Sequence, residues 1–159
     1  MLAGRPEIIC RGVNAARDLD DLIGMADGVV IGPGIGQTAW ARALYERVLA
    51  TELPLIVDAD GLNLLSARPF ARGNWALTPH PGEAARLLGS SPGAVQQDRI
   101  AASRSLARRY AAMTVLKGAN TLVTAPAEQD GSRVCDHGNP RSEEHTSELQ
   151  SHLHLVCRL

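Results

Sequence analysis

The stretch Gly28-Val29-Val30-Ile31-Gly32-Pro33-Gly34-Ile35-Gly36 joins a short apolar run to a glycine-rich turn. An apolar run of this length, bounded by glycine on both sides, predicts a buried β-strand. A helix is predicted shortly after the turn, over residues 39–50. Its inward face is predicted to carry Trp40, Ala43, Leu44 and Val48. A strand, a tight turn and a helix in this order begin a βαβ unit, so the stretch predicts an α/β fold.

The same alternation continues along the chain. Further strands are predicted over residues 54–58, 75–78, 114–116, 121–123 and 133–135. Helices are predicted from Leu62, over 81–88 and over 97–112. The inward candidates of the last helix are Ile100, Leu106 and Ala107. Because continuous apolar runs are typical of strands buried on both faces, we expect a mostly parallel sheet with helices on both sides.

Composition and charge exclude several functional classes. The formal net charge of -1 gives no electrostatic argument for nucleic acid. No apolar run approaches the roughly 20 residues that span a bilayer, and the first residues lack the apolar stretch of a signal peptide. The 3 cysteines are widely spaced and odd in number, which is typical of reduced thiols. We expect a cytoplasmic protein that binds neither nucleic acid nor membranes.

The composition changes at Arg141. All 15 glycines precede this residue, and residues 141–159 contain neither glycine nor alanine. The run Arg141-Ser142-Glu143-Glu144-His145-Thr146-Ser147-Glu148-Leu149-Gln150-Ser151 resembles the in-frame translation of a sequencing adapter. We therefore expect one domain over residues 1–140 and a tail over 141–159 that is not native to it. An ordinary polar tail is the alternative.

The glycine-rich turn at residues 32–36 is the first candidate site. Glycine permits positive φ and a close approach of backbone to a ligand, and the start of the next helix favours an anion. The spacing matches neither a dinucleotide fingerprint nor a Walker loop. This segment alone supports a tight turn and a ligand loop equally.

The segment Asp58-Ala59-Asp60-Gly61-Leu62-Asn63 follows the next predicted strand. Ligands of open α/β sheets bind at the carboxyl ends of strands, where these polar side chains lie. The alternative is structural, with Asp60 capping the following helix and Asp58 completing a turn. Taken by itself, the segment favours that alternative.

The segment Thr78-Pro79-His80-Pro81-Gly82-Glu83 predicts a helix start. His80 can cap the helix, Pro81 suits its first position, and Glu83 stands where the acid of a capping box reaches back. Ser and Asp are the more usual caps. An imidazole held between two prolines at a strand end also suits a substrate contact.

The segment Leu116-Lys117-Gly118-Ala119-Asn120-Thr121 holds the only lysine among the 16 basic residues. A lysine at a strand end can offer a point charge to a phosphate, and the amides after it can form a nest for an anion. A solvated hairpin turn is the alternative. Because all four segments follow predicted strands, they predict a shared crevice in an enzyme that handles a nucleotide or a phosphate.

In this order, the four segments resemble signature segments of the ADP-dependent NAD(P)H-hydrate dehydratases. The segment at residues 78–83 is the most specific. Similarity at Arg5-Pro6-Glu7 and Gly138-Asn139-Pro140 extends the resemblance over residues 5–140. The resemblance implies a ribokinase-like three-layer sandwich. It also implies phosphorylation and dehydration of the (S)-hydrate of NADH or NADPH, called NAD(P)HX, with ADP as donor and AMP and phosphate as products.

The resemblance also implies roles for individual residues. The implied contacts of the hydrated dinucleotide are Gly34, Gly36, Asp60, Asn63 and His80. The implied contacts of the adenine nucleotide are Lys117, Gly118, Ala119, Asn120 and Thr121. Glu83 would organise a water bound to Mg²⁺. Three points stay open: ADP or ATP as the donor, a homo-oligomeric parent enzyme, and an epimerase domain fused upstream.

The chain departs from the family pattern at both ends. The opening βα unit of the family has no counterpart before Met1. The glycine-rich anion hole and the aspartate base that follow Gly138-Asn139-Pro140 in the family are replaced by the tail. We therefore expect an incomplete, inactive domain. A vitamin-precursor kinase of the same fold and an inert fragment without function are the alternatives.

Overall fold

The computed structural model of the protein describes residues 10–126 and 132–135. The strands are β1 (Val29–Ile31), β2 (Leu55–Val57), β3 (Trp75–Leu77), β4 (Met113–Leu116), β5 (Thr121–Thr124) and β6 (Ser132–Cys135). The α-helices are α1 (Asp20–Gly24), α2 (Ala39–Leu49), α3 (Asp60–Ala67), α4 (Pro81–Leu88), α5 (Pro92–Gln97) and α6 (Arg99–Tyr110), and a 3₁₀ turn at Ala16–Leu19 precedes α1. Every predicted strand is present, within a residue or two of its predicted ends.

The six strands form one sheet in the order β1-β2-β3-β4-β5-β6. The first four strands are parallel to one another, and β5 and β6 are antiparallel additions. Parallel neighbours require crossover connections, and α2, α3 and the α4–α6 segment supply them. The predicted mostly parallel α/β sheet is confirmed.

The hydrophobic core lies on one face of β1, β2 and β3. In β1, β2 and β3 the first and third residues are buried and join the helices in one core cluster. The middle residues of β1 and β2 point away from that core, with Val30 39% and Ile56 43% exposed. The expectation of helices on both faces is therefore not met at these two positions.

The inward face of α2 differs from the predicted one. Leu44 and Val48 are buried as expected and Trp40 is partly buried, but Ala43 is exposed, and that part of the prediction is wrong. Ala41 and Tyr45 occupy the core instead. Residues 41, 44, 45 and 48 follow the i, i+3, i+4, i+7 spacing of a single helix face, which excludes residue 43.

The helix predicted over residues 97–112 is present as α6, within two residues of its predicted ends, and Asp98 begins it. The short helix α5 before it was not predicted. The Asp98 carboxylate accepts a hydrogen bond from the Ala101 amide at 2.9 Å. This start sets the phase of α6, which turns Leu106 and Ala107 inward as predicted. Ile100 is 47% exposed, so its inward assignment is wrong.

Two further expectations concern membrane-spanning helices and the predicted domain boundary. Among the helices at residues 10–126, none is long and apolar enough to cross a membrane. The predicted domain boundary at Arg141, and the tail after it, lie outside the described residues.

Candidate functional site

The glycine-rich turn after β1 needs glycine because it lies against the loop after β2. Gly32 has φ of +130°, and a Cβ there would lie 1.7 Å from the carbonyl oxygen of Asp58. Gly34 and Gly36 also have positive φ, 69° and 71°. These values suit glycine and disfavour side chains. The turn therefore has a structural role, because the close approach of the two loops requires glycine at residue 32.

Asp60 joins the two loops through its side chain. Its carboxylate accepts a hydrogen bond from the Gly36 amide at 2.9 Å. The capping interpretation of Asp60 is wrong, because Asp60 is the first residue of α3 and Ala59 occupies the N-cap position without a side-chain cap. Ala59 has φ of 47° and ψ of −119°, a strained conformation for a residue with a Cβ. The strain accompanies the close approach of the two loops.

Asn63 continues the same network towards α4. Its amide nitrogen lies 3.5 Å from the Asp60 carboxylate, and its amide oxygen accepts from the Arg86 guanidinium at 2.5 Å. Arg86 was not predicted from the sequence. The network links the glycine turn, α3 and α4, so Asp60 and Asn63 hold the turn in place in this structure.

His80 caps α4 as predicted. Its Nδ1 accepts hydrogen bonds from the amides of Gly82 at 2.9 Å and Glu83 at 3.4 Å. The Glu83 carboxylate accepts from the His80 amide at 2.8 Å, which completes the capping box. Because Nδ1 accepts, the hydrogen-bond network assigns the proton of a neutral ring to Nε2. The cap fixes the ring, while the side chain stays 49% exposed at the crevice.

Glu83 is buried at the base of this loop. One carboxylate oxygen accepts from the His80 amide, and the other lies 3.4 Å from the His80 Nε2. The side chain is only 7% exposed. Both oxygens are therefore directed at His80, and the predicted role with a Mg²⁺-bound water stays a prediction.

Lys117 lies between the loops that follow β2 and β3. Its amide donates to the Pro79 carbonyl at 2.8 Å, one residue before His80. Its ammonium forms an ion pair with Asp58 at 2.7 Å. The two side chains are 39% and 29% exposed, so solvent and ligands can reach the pair. Lys117 is thus a cation within the crevice that already has a carboxylate partner.

Residues 117–121 form the turn between antiparallel β4 and β5, so the hairpin alternative is correct as a description of the backbone. Gly118 has φ of 137° and Asn120 has φ of 60°. The Thr121 hydroxyl donates to the Gly118 carbonyl at 3.0 Å. The hairpin nevertheless contacts the loops after β2 and β3 through Lys117. The same segment is therefore both a hairpin turn and one wall of the crevice.

Arg99, at the start of α6, was also missed by the sequence analysis. Its Nη2 lies 3.2 Å from the Leu116 carbonyl oxygen, 3.3 Å from that of Lys117 and 3.5 Å from that of Asn120. No motif marks this residue, since it is one arginine among many and lies well before the segment that it contacts. Only the tertiary packing of α6 on β4 and β5 brings them together.

The four predicted segments therefore meet at the carboxyl edge of the parallel strands. Gly32 contacts Asp58, Gly36 bonds to Asp60, Lys117 bonds to Pro79, and the Lys117 side chain reaches Asp58. The four segments thus converge as the sequence predicts, and the surface that they share is the candidate crevice. Among the described residues, no group of three or more His, Cys, Asp or Glu side chains could hold a metal ion.

A cavity of about 670 Å³ lies away from this crevice, between α2 and the end of α3. Its lining includes Arg42, Tyr45, Leu64 and Phe70, and it touches the crevice region only through Gln37. The Tyr45 hydroxyl is buried without a hydrogen-bond partner among the described residues. Burial, and to a smaller extent the neighbouring Tyr110, raises the pKa of Tyr45. None of the predicted site residues lines this cavity.

Comparison with known proteins places the crevice in context. A family model described as NAD(P)H-hydrate dehydratase matches residues 1–143. The bifunctional NAD(P)H-hydrate repair enzyme Nnr of Coxiella burnetii is 50% identical over 136 residues, covering 86% of this chain and 28% of that enzyme. The crystal structure of the ADP/ATP-dependent NAD(P)H-hydrate dehydratase from Bacillus subtilis, co-crystallised with ATP and Mg²⁺, is similar with a TM-score of 0.62 and 30% identity. That similarity covers 71% of this chain and 40% of the crystal chain.

A ribokinase-like superfamily protein from Enterococcus faecalis is also similar, with a TM-score of 0.60 and 27% identity over 69% of this chain and 39% of that one. These structures confirm the ribokinase-like fold for the part of the chain that they cover. The chain spans well under half the length of each relative described here, 28% to 40%. The family model nevertheless covers most of the chain, and the protein belongs to the NAD(P)H-hydrate dehydratase family.

Proposed function

We propose that the crevice binds a hydrated nicotinamide dinucleotide, (S)-NAD(P)HX, beside an adenine nucleotide, and that the same site in a complete member of the family serves its ADP-dependent dehydration to NAD(P)H. The similar Bacillus subtilis protein is named for this reaction with ADP or ATP. Hydroxide is a poor leaving group, whereas phosphate leaves readily. Phosphoryl transfer to the ring hydroxyl therefore makes elimination possible, and AMP and phosphate are the products.

One observation carries the proposal. The Lys117 amide donates to the Pro79 carbonyl at 2.8 Å, which joins the segment assigned to the nucleotide to the segment assigned to the substrate. His80 follows Pro79 directly, and its cap on α4 fixes the ring. Phosphoryl transfer depends mainly on positioning and on holding charge. A cation and a fixed imidazole joined by one main-chain bond suit those two tasks.

The carboxylates of the described crevice are all engaged. Asp58 pairs with Lys117, Asp60 accepts from Gly36, and Glu83 accepts from His80. A general base needs a carboxylate that can take the proton of the acceptor hydroxyl. We therefore infer that none of the described carboxylates is the base, in line with the sequence-based expectation that the tail replaces the family's aspartate base.

The partners of the crevice carboxylates also bear on the binding of Mg²⁺. Both Glu83 oxygens face His80, and the described crevice offers no cluster of ligands for a metal. The described residues therefore do not fit direct coordination of Mg²⁺. The proposed roles of Lys117 and His80 do not depend on it.

Nucleotide binding is the sharpest test. Lys117→Ala should weaken ADP binding by calorimetry, because a hydrogen bond to a charged group contributes about 1.5–3 kcal/mol, or roughly ten- to a hundredfold in Kd. Arg104→Ala is the matched control, since Arg104 is exposed on α6 and has no ion pair or hydrogen bond among the described residues. An ADP affinity that is equal in the two variants would mean that Lys117 is a solvated surface lysine that does not contact the nucleotide.

A turnover assay separates the proposed function from its rival. Incubation of the protein with NADHX, ADP and Mg²⁺ should leave NADH absorbance flat while ADP still binds, because no described carboxylate is free to act as the base. A rise in NADH absorbance would mean that a residue of this chain acts as the base. Phosphorylation of a thiamin precursor in the same assay would favour the vitamin-precursor kinase.

A further inference from the structure

We propose that Arg99 is a positioning residue that holds the nucleotide-binding hairpin in its binding orientation. The inference rests on the proposed function for its ligand, since it takes residues 117–121 as the segment that contacts the nucleotide. Arg99 itself lies outside every predicted segment. It acts on the hairpin through main-chain oxygens, and the predicted site residues that it contacts are the nucleotide residues Lys117 and Asn120.

The contacts of Arg99 surround the base of the hairpin. Its Nη2 lies within 3.2–3.5 Å of the carbonyl oxygens of Leu116, Lys117 and Asn120. A second nitrogen, Nη1, lies 3.4 Å from the side-chain oxygen of Gln96. One guanidinium therefore gathers carbonyls from both arms of the turn, which a shorter or uncharged side chain could not do.

The direction of these carbonyls determines the direction of the amides. In a trans peptide the N–H points opposite to the C=O of the same peptide unit. The Lys117 carbonyl points at Arg99, so the Gly118 amide of the same peptide unit points to the opposite side. The Asn120 carbonyl also points at Arg99, so the Thr121 amide points away from Arg99 as well. The carbonyl dipoles thus face α6, and these amides turn away from it.

This arrangement favours an anion on the side of the hairpin away from α6. Phosphate is attracted by N–H groups and repelled by carbonyl oxygens. Without Arg99, the three carbonyls would lose a charged donor and gain freedom to rotate towards the crevice. Gly118, with φ of 137°, gives little resistance to such a rotation. Asn120, with φ of 60°, holds a conformation that most residues avoid.

Backbone conformation in the absence of ligand is the first test. In Arg99→Ala, hydrogen exchange at the Gly118 and Thr121 amides should speed up by about tenfold or more, while exchange in β1 and β2 is unchanged. Arg99→Lys, which keeps one charged donor, should restore part of the protection. Arg104→Ala, on the same helix, should behave as wild type. Unchanged exchange at Gly118 and Thr121 in Arg99→Ala would overturn the proposal, whatever the nucleotide does.

Nucleotide affinity is the second test. Arg99→Ala should weaken ADP binding by roughly tenfold, the loss expected for about one charge-assisted contact, with an unfolding midpoint close to that of Arg104→Ala. Faster exchange with unchanged ADP affinity would overturn the positioning role. If the wild-type protein binds no ADP while the exchange difference persists, the proposed function fails and the action of Arg99 on the hairpin stands.

Discussion

At the scale of single residues, the contact between Gly32 and Asp58 sets the tightest limit on substitution. Gly32→Ala should destabilise by more than about 4 kcal/mol, because its Cβ would lie 1.7 Å from a backbone oxygen that cannot move aside. Gly36→Ala should cost only about 1–2 kcal/mol, because its φ is +71° but the space around it is open. Denaturant unfolding measures both variants.

Gly73→Ala is the control for this pair, because a Cβ there meets nothing within 4 Å and its φ is not positive. It should change the free energy of unfolding by less than about 0.5 kcal/mol. Equal effects of Gly32→Ala and Gly36→Ala would mean that the two loops separate easily, and the crevice would then be less rigid than this structure shows.

Removing the charge of Asp58 should tighten ADP binding, which is the opposite of the effect expected when Lys117 is removed. Asp58→Asn keeps the shape of the side chain and removes its charge, so Lys117 becomes free to pair with phosphate. A pair with side chains 39% and 29% exposed is worth about 0.2–1 kcal/mol, so ADP binding should tighten by roughly one and a half- to fivefold. Calorimetry with ADP measures the change, and weaker binding would show that Asp58 positions the ammonium for its ligand.

At the scale of elements, the start of α4 separates two tasks of His80. Asparagine is a good N-cap and alanine a poor one. His80→Asn should therefore leave the unfolding midpoint near that of wild type, whereas His80→Ala should lose about 1 kcal/mol. Both variants should weaken binding of NADPHX, because both lack the imidazole.

Chemical denaturation and substrate titration on the same two variants distinguish the tasks. A His80→Asn variant that binds NADPHX as tightly as wild type would reduce His80 to a helix cap. A destabilised His80→Asn variant would mean that the histidine ring contributes packing that asparagine lacks.

Elements with local signals were predictable from the sequence. Residues 81–88 are the clearest case: cap, first-turn proline and capping-box acid all stand within four positions, and the helix Pro81–Leu88 begins and ends as predicted. The strands were predictable because a short apolar run bounded by turn residues is typical of a buried strand. Helix α5 also had local signals, Ser91 as cap and Pro92 after it, but it was not predicted.

The candidate site was predictable in position and not in its internal contacts. Strand ends showed which segments converge, because parallel strands bring their carboxyl ends to one edge. The Asp60–Gly36 and Lys117–Asp58 contacts join residues far apart in the chain, and no local pattern encodes them. Arg86 and Arg99 were missed for the same reason, since each acts across the fold from an ordinary helical position.

At the scale of the whole molecule, two buried tyrosines predict how stability depends on pH. Burial raises the pKa of both Tyr45 and Tyr110 above the ordinary value of 10.0. Above that pH the unfolded chain ionises while the folded tyrosines stay neutral, so the unfolded state binds fewer protons. The free energy of unfolding should therefore fall as pH rises above 10, by at most about 1.4 kcal/mol per pH unit for each tyrosine.

Phenylalanine variants separate the two residues at neutral pH. Tyr45→Phe removes a buried hydroxyl without a partner among the described residues and should stabilise by about 1 kcal/mol. Tyr110→Phe removes a hydroxyl that donates to the Leu87 carbonyl at 3.0 Å and should destabilise by about the same amount. Each variant should also reduce the alkaline loss of stability. A destabilised Tyr45→Phe variant would point to a partner for that hydroxyl outside the described residues.

The order of the strands in the sheet has a consequence for synthesis on the ribosome. Because each described strand pairs with the next one along the chain, the sheet can grow as the polypeptide emerges, and none of these six strands waits for a distant partner. The crevice is the exception. Lys117 reaches back 59 residues to Asp58, so the cation joins the site only after α6 and β4 have been made. A nascent chain therefore holds the substrate-side loops before it gains the residue proposed to bind phosphate.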